Sequence, residues 1–353
     1  MAQITYAEAI RNAIREEMLR DSRIFVMGQD IEAVMWDGDA KREFGSERIR
    51  NTPISETGFV GAGIGAALTG MRPIVEVGCS TFMYSAMDQI INQAAKSRYM
   101  FGGQASVPLI IRATVGYNIS LAAHHSDRPW GLFAHAPGLK IIVPSTPYDA
   151  KGLLKSAIRD GNPVLYFEDC TLGAQRGEVP DDDYTVPIGV ADIKCEGSDI
   201  TIVAIAAAVN HSLAAAQKLE NEGVSVEVVD VRTVVPLDRQ TIIQSVRKTG
   251  RLIVVDPAPG TCGVAAEVAA TVAENAFESL QAPVIRLTAP DIPVPFSPNL
   301  ERLLYPTAES IAAAAGKLCV TRFSRAAKQV DCERARENRL TAIKNGLDPT
   351  RAG

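Results

Sequence analysis

The chain has 353 residues, 46% hydrophobic and 22% charged, an ordinary globular composition with enough length for two cores. A formal net charge of -5 offers no basic excess for nucleic acid, and no apolar run nears the roughly 20 residues that span a bilayer. The six cysteines (Cys79, Cys170, Cys195, Cys262, Cys319 and Cys332) form no CxxC pair or metal spacing and read as reduced thiols of a cytoplasmic protein; the first residues lack a signal-peptide core.

Thr5-x-x-Glu8 is a capping-box pattern, and Ile10, Ala13, Ile14 and Met18 follow at helical spacing, which predicts a helix to about Arg20. A buried strand is expected over 23–27, ending at Gly28. A Gly- and Ala-rich helix follows over 58–70, then a strand over 73–77, a helix over 83–98 and a strand over 107–112. Strands at 139–143 and 164–167 flank a helix at 150–159. Short β-rich runs alternating with helices predict an α/β protein with parallel sheets covered on both faces. The acidic, breaker-rich stretch from Glu178 reads as a surface linker, with a boundary within 178–196. A second α/β unit then carries strands at 199–205, 224–229, 252–255 and 284–287, and helices at 210–222, 239–248, 264–276 and 308–317. From Cys319 onward eight Arg/Lys face four Asp/Glu, so the end reads as a solvated basic tail or a partner-binding helix.

Three segments fall where parallel sheets bind ligands, beyond the carboxyl ends of strands. In Thr52-Pro-Ile-Ser-Glu-Thr-Gly-Phe59 a lone carboxylate, Glu56, sits between Ile54 and Phe59. That setting suits a tuned acid or base, or a Glu held by a helix dipole. The glycines at 58, 61, 63 and 65 form no GxGxxG and read as allowing close helix packing. In Thr81-Phe-Met-Tyr84, Phe82 can stack on a planar ring or serve as core. Ala123-His-His-Ser-Asp127, with His135, holds three of the four histidines, suited to proton transfer or anion binding. A zinc site or a Ser126 nucleophile fits the spacing less well.

The collinear set TPISETGFVGAGIGAALTGMRPIVE, DQIINQAAKSRYMFGG, the HHS segment ending in HAPGLKIIVPSTPYDAKGLLKSAIRDGNPV, VVDVRTVVPLDRQTI and RLTAPDIPVPFSPNLE resembles the beta subunits of thiamine-diphosphate-dependent 2-oxo acid dehydrogenases, the pyruvate, branched-chain and acetoin enzymes. The match runs from residue 3 to about 318. It implies a pyrimidine-binding thiamine-diphosphate domain over 1–188, a transketolase-type C-terminal domain over 189–320 and a basic tail over 321–353. By the resemblance Glu56 hydrogen-bonds N1′ of the aminopyrimidine and so activates C2 of the thiazolium, which attacks the 2-oxo acid and takes up the electrons of decarboxylation. Ile54 and Phe82 then line the pyrimidine pocket, His125 serves the substrate or lipoyl transfer, and Leu109, Ala157, Asp160 and Asn162 hold a monovalent cation, K⁺.

Thiamine enzymes hold the diphosphate and its Mg²⁺ with Gly-Asp-Gly and a later Asn. That pair is absent here, Trp36-Asp-Gly-Asp39 being nearest. An alpha chain is therefore expected to bind them, in an α₂β₂ heterotetramer with the cofactor between subunits and a lipoyl acyltransferase core as a further partner. The sequence departs from the family pattern at Gln29, a position usually Glu in an acidic network proposed to link active sites. It departs again at His124-His125-Ser126-Asp127 for Gln-His-Ser-Gln, followed by Arg128-Pro129-Trp130, and at Gly78 and Pro257; the segment after Gly28 is short. The leading expectation is a pyruvate or acetoin dehydrogenase subunit. The alternatives are thiamine-dependent carbon–carbon bond formation in biosynthesis and a non-catalytic scaffold, the latter opposed by retention of Glu56.

Overall fold

The computed structural model describes residues 1–31, 39–116 and 119–318. The basic tail, Cys319, Cys332 and most of the Trp36–Asp39 segment lie outside the described residues. Among those described, the four cysteines are free thiols, and no helix is long and apolar enough to cross a membrane.

The chain opens with strand β1 (Ala2–Thr5) and the helix Tyr6–Arg20, which starts on the reciprocal Thr5–Glu8 capping box. Strands β2 (Ile24–Gly28), β3 (Ile49–Asn51), β4 (Arg72–Cys79), β5 (Ile110–Val115), β6 (Lys140–Ile142) and β7 (Val164–Asp169) form a parallel sheet in the order β6-β7-β5-β4-β2-β3. β2 and β7 are buried along their whole length, as strands covered on both faces must be, so they read as unbroken apolar runs. The helices Glu56–Leu68 and Pro147–Arg159 flank this sheet, the latter packing on Tyr6–Arg20.

Strand β8 (Arg176–Val179) pairs antiparallel with β1, so the expected linker begins as a strand. Two of its acidic residues are partnered: Asp183 pairs with Lys155 and Arg159, and Asp181 with the N-terminal amine. A second sheet follows, built from β9 (Asp192–Cys195), β10 (Ile200–Ala204), β11 (Val226–Asp230), β13 (Leu252–Pro259) and β14 (Ile285–Ala289), parallel except for edge strand β9. Between β11 and β13, strand β12 (Thr233–Val235) crosses back and adds antiparallel to β6 of the first sheet. The crossing is held by charge: fully buried Asp149 receives Lys194 at 2.6 Å and Arg232 at 2.7 Å, and both cations also reach Asp192. Buried charges survive only when paired in this way, because removing one partner strands the other without water.

Three local expectations are corrected. β5 begins at Ile110 rather than 107, since Pro108 has no N–H to give the ladder. The helix expected over 83–98 starts earlier, as a 3-10 helix at Ser80–Ala86, and contains a π-helical turn at Gln89–Ala94. β1, β3, β8, β9 and β12 were not expected at all, being three or four residues each and carrying little apolar alternation.

Candidate active site

Glu56, Phe82 and His125 each follow the carboxyl end of a parallel strand: Glu56 after β3, Phe82 after β4 and His125 after β5. Chain crossings leave helix starts and loops at that edge, which is where open α/β sheets take ligands. Glu56 opens the helix Glu56–Leu68 and is half-buried; the Ser85 hydroxyl donates to its Oε2 at 3.2 Å. The Thr57 hydroxyl donates to the Ser85 carbonyl, fastening this helix start to the Ser80–Ala86 turn. Phe82, on that same turn, meets the His125 ring edge-on at 5.4 Å between centroids. The three residues thus share one corner, with Ser85 and Phe82 bridging Glu56 to His125.

Gly78 precedes this turn at φ +78°, in the left-handed region that glycine enters without strain. A side chain there would lie 3.7 Å from both the Phe82 ring and the Gln29 amide, so the departures at 29 and 78 border the same corner. Gln29 Oε1 is buried and finds no hydrogen-bond partner among the described residues. Beneath the corner, Glu76 receives the Gly78 N–H at 3.2 Å and Arg112 at 2.9 Å, and Arg112 also pairs with Glu168. Burial, opposed by Arg112 and reinforced by Glu168, pushes the Glu76 carboxyl up to about 7.

The other expected residues are placed as follows. Ile54 stands on the rim before Glu56, 76% exposed. Ser126 is buried and its hydroxyl donates to the Ala122 carbonyl at 2.7 Å, not to a histidine, which leaves the nucleophile reading without support. His135 caps the helix Trp130–Ala134 and is exposed, away from the corner. Leu109, Ala157, Asp160 and Asn162 lie at the opposite, N-terminal end of the sheet. There the Leu109 carbonyl accepts from Val164, the Ala157 carbonyl from Asp160 and the Asp160 carbonyl from Arg72, while the Asp160 carboxylate pairs with Lys140 and Asn162. Of the glycines in the helix Glu56–Leu68, Gly63 has the close approach expected of it, whereas Gly65 faces open space.

Sequence reasoning missed Ser85 as a member of the site, and gave Tyr84 and Asp127, which end two of the segments singled out, no role of their own. The Tyr84 hydroxyl donates to Asp127 Oδ2 at 2.9 Å, and the Ser80 hydroxyl to the Asp127 carbonyl at 2.7 Å. The signal was a period of three in Ser-Thr-Phe-Met-Tyr-Ser-Ala, which places 82 and 85 on one ridge, but only once the segment is known to be 3-10.

Comparison with known proteins fixes the family. Residues 2–172 match the profile of the transketolase pyrimidine binding domain, and residues 189–311 that of the transketolase C-terminal domain. The subunit beta of acetoin:2,6-dichlorophenolindophenol oxidoreductase from Bacillus subtilis (strain 168) is 45% identical over 326 residues, 88% of this chain and 95% of that one. The pyruvate dehydrogenase E1 component subunit beta of the same organism is 43% identical over 323 residues, 90% and 99% of the two chains. The chain belongs to the beta-subunit family of the 2-oxo acid dehydrogenases. Members of this transketolase-like family are subunits of thiamine-diphosphate-dependent oxidoreductases, and a beta subunit implies an alpha partner. A split-gene transketolase, solved as an inactive beta4 tetramer, shares the beta-subunit fold with a TM-score of 0.74 at 24% identity, covering 90% of this chain and 98% of that one. The corner formed by Glu56, Phe82 and His125 falls wholly within the pyrimidine-binding profile.

Proposed function

We propose that the chain is the beta subunit of a cytoplasmic dehydrogenase that decarboxylates a small 2-oxo acid such as pyruvate or cleaves acetoin, with an active site shared with an alpha chain in an α₂β₂ heterotetramer. The observation that carries this reading is the convergence of Glu56, Phe82 and His125 at one strand-end corner whose rim residue, Ile54, is left bare.

The corner suits an aminopyrimidine. Phe82 offers a ring face or edge and Glu56 a carboxylate for a ring nitrogen. When bound, thiamine diphosphate supplies a carbanion at the thiazolium and an electron sink for the substrate carbon. The role of this chain is to hold and orient the pyrimidine, with Glu56 sharing a proton at N1′ and Ser85 fixing the carboxylate's rotamer. His125, packed against Phe82, is placed to move a proton on the substrate side. The diphosphate and Mg²⁺ are assigned to the alpha chain, because the Gly-Asp-Gly and Asn pair is missing from this sequence. The carbonyls of Leu109, Ala157, Asp160 and Asn162 are assigned to K⁺: a carbonyl has two lone pairs, and those of Leu109, Ala157 and Asp160 each have one engaged. A lipoyl acyltransferase is the natural acceptor for a pyruvate-type enzyme. An artificial electron acceptor suffices for the acetoin relative, by its name.

The test is co-expression with an alpha-type chain that carries Gly-Asp-Gly and Asn. Pyruvate and acetoin are then offered with thiamine diphosphate, Mg²⁺ and dichlorophenolindophenol. Turnover that needs both chains supports the reading and selects the substrate. A stable complex that binds cofactor and oxidises neither would overturn the substrate assignment.

A further inference from the structure

Because Ser80–Ala86 is a 3-10 helix, residues three apart eclipse and the turn presents three ridges. Ser80, Met83 and Ala86 form a fully buried ridge. Phe82 and Ser85 form a second, toward His125 and Glu56. Thr81 and Tyr84 form a third, which grips the histidine loop. The Thr81 hydroxyl donates to the His124 carbonyl, and the Tyr84 hydroxyl to the Asp127 carboxylate. These bonds land on either side of His125.

From this arrangement we infer that Tyr84 and Asp127 are a positioning pair for His125, holding its imidazole against Phe82 before any partner chain arrives; the role rests on the reading of the site given above. The loop needs such a hold. Ser120 and Ala122 adopt φ of 56° and 60°, conformations that strain a non-glycine residue and persist only where neighbours enforce them. Its ends are pinned independently. Buried Arg128 donates to the Gly116 carbonyl at 2.6 Å and the Ser126 carbonyl at 3.1 Å, closing the loop across its base, and its guanidinium lies 4.5 Å over the Tyr305 ring. The crest carrying His125 is fastened by Thr81 at the His124 carbonyl, by Ser80 at the Asp127 carbonyl and by Tyr84 at the Asp127 carboxylate, the last joining two side chains. Burial first, and the Asp127 carboxylate second, push the Tyr84 phenol above its usual range, so it stays a donor. Tyr84 is 39% exposed, at the rim, so its hydroxyl can be removed without opening the core.

The experiment is a double-mutant cycle in the complex with the alpha-type chain, using Tyr84→Phe, Asp127→Ala and both together. Each single change is expected to lower kcat roughly tenfold, the worth of one hydrogen bond to a charged group, with KM nearly unchanged. The double variant should be no worse than either single, and Asp127→Asn, whose amide oxygen still accepts from Tyr84, should retain most of the turnover. A second readout uses the full chain alone: the rate at which diethyl pyrocarbonate modifies His125 relative to exposed His135, followed by mass spectrometry. Both single variants should raise the His125 rate severalfold and leave His135 unchanged. Additive losses in kcat, or an unaltered His125 rate, overturn the pairing. A wild-type complex without thiamine-dependent turnover would instead count against the site reading, and the His125 rate still judges the pair.

Discussion

The Phe82 ring stands edge-on to the His125 imidazole, with 5.4 Å between centroids and 77° between planes. One residue follows β4 and the other lies on the loop after β5, so the contact joins neighbouring strand ends and fixes two otherwise separate loops. Such aromatic pairs contribute about 0.5–1.5 kcal/mol beyond area burial. Phe82→Leu keeps the apolar volume but removes the ring. The thiamine diphosphate concentration for half-maximal activity of the complex should then rise about 3- to 10-fold. No change in that midpoint would remove Phe82 from the cofactor pocket.

Glu56→Gln preserves shape and an acceptor for Ser85, but not the shared proton. Loss of a positioned acid or base costs about 10²- to 10⁴-fold in turnover. We expect that loss with normal assembly by gel filtration. Undiminished turnover in an intact complex would make Glu56 a helix-start residue and no more.

Glu76 gives the pH dependence. Unfolded Glu titrates near 4.5 and folded Glu76 near 7, so the native state holds this proton more tightly. The stability it contributes is complete below the unfolded value and is lost as pH rises through the folded one. Urea midpoints of Glu76→Gln and wild type should therefore diverge between about pH 4.5 and 7, the variant gaining on the order of 3 kcal/mol at the upper end. Arg112 keeps Glu168 as a partner in the variant. A gap independent of pH would show that Glu76 is ionised throughout.

Two glycines of one helix should respond oppositely. A Cβ on Gly63 would lie 2.6 Å from Val75 Cγ2, so Gly63→Ala forces the helix off β4, at about 1–3 kcal/mol. No described residue lies within 4 Å of the same atom on Gly65, and Gly65→Ala should stabilise by about 0.5–1 kcal/mol through helix propensity. Thermal unfolding of the two variants checks both signs.

If the carbonyls near Asp160 bind K⁺, the unfolding temperature should climb with the logarithm of K⁺ concentration, as for any ligand of the native state alone. Choline at equal ionic strength should leave it flat. Equal response to both ions would point to screening and dismiss the site.

Much of this was legible in the chain itself. Unbroken apolar runs at 24–27 and 164–167 announce strands buried on both faces, and Thr5-x-x-Glu8 a helix start, because those patterns depend on neighbours close in sequence. Glu56, Phe82 and His125 could be picked out singly for the same reason, by residue type and immediate sequence neighbours. Their meeting could not. It depends on the sheet order β5-β4-β2-β3 and on the 3-10 path of Ser80–Ala86, which turns Phe82 and Ser85 to one side and Thr81 and Tyr84 to another. The partnership of Tyr84 with Asp127, 43 residues away, and the return of β12 to pair with β6 likewise rest on long-range packing. Local patterns set where strands and helices begin because their energetics are local. Which side chains share a corner is decided by burial of the whole chain, and only the tertiary structure carries that.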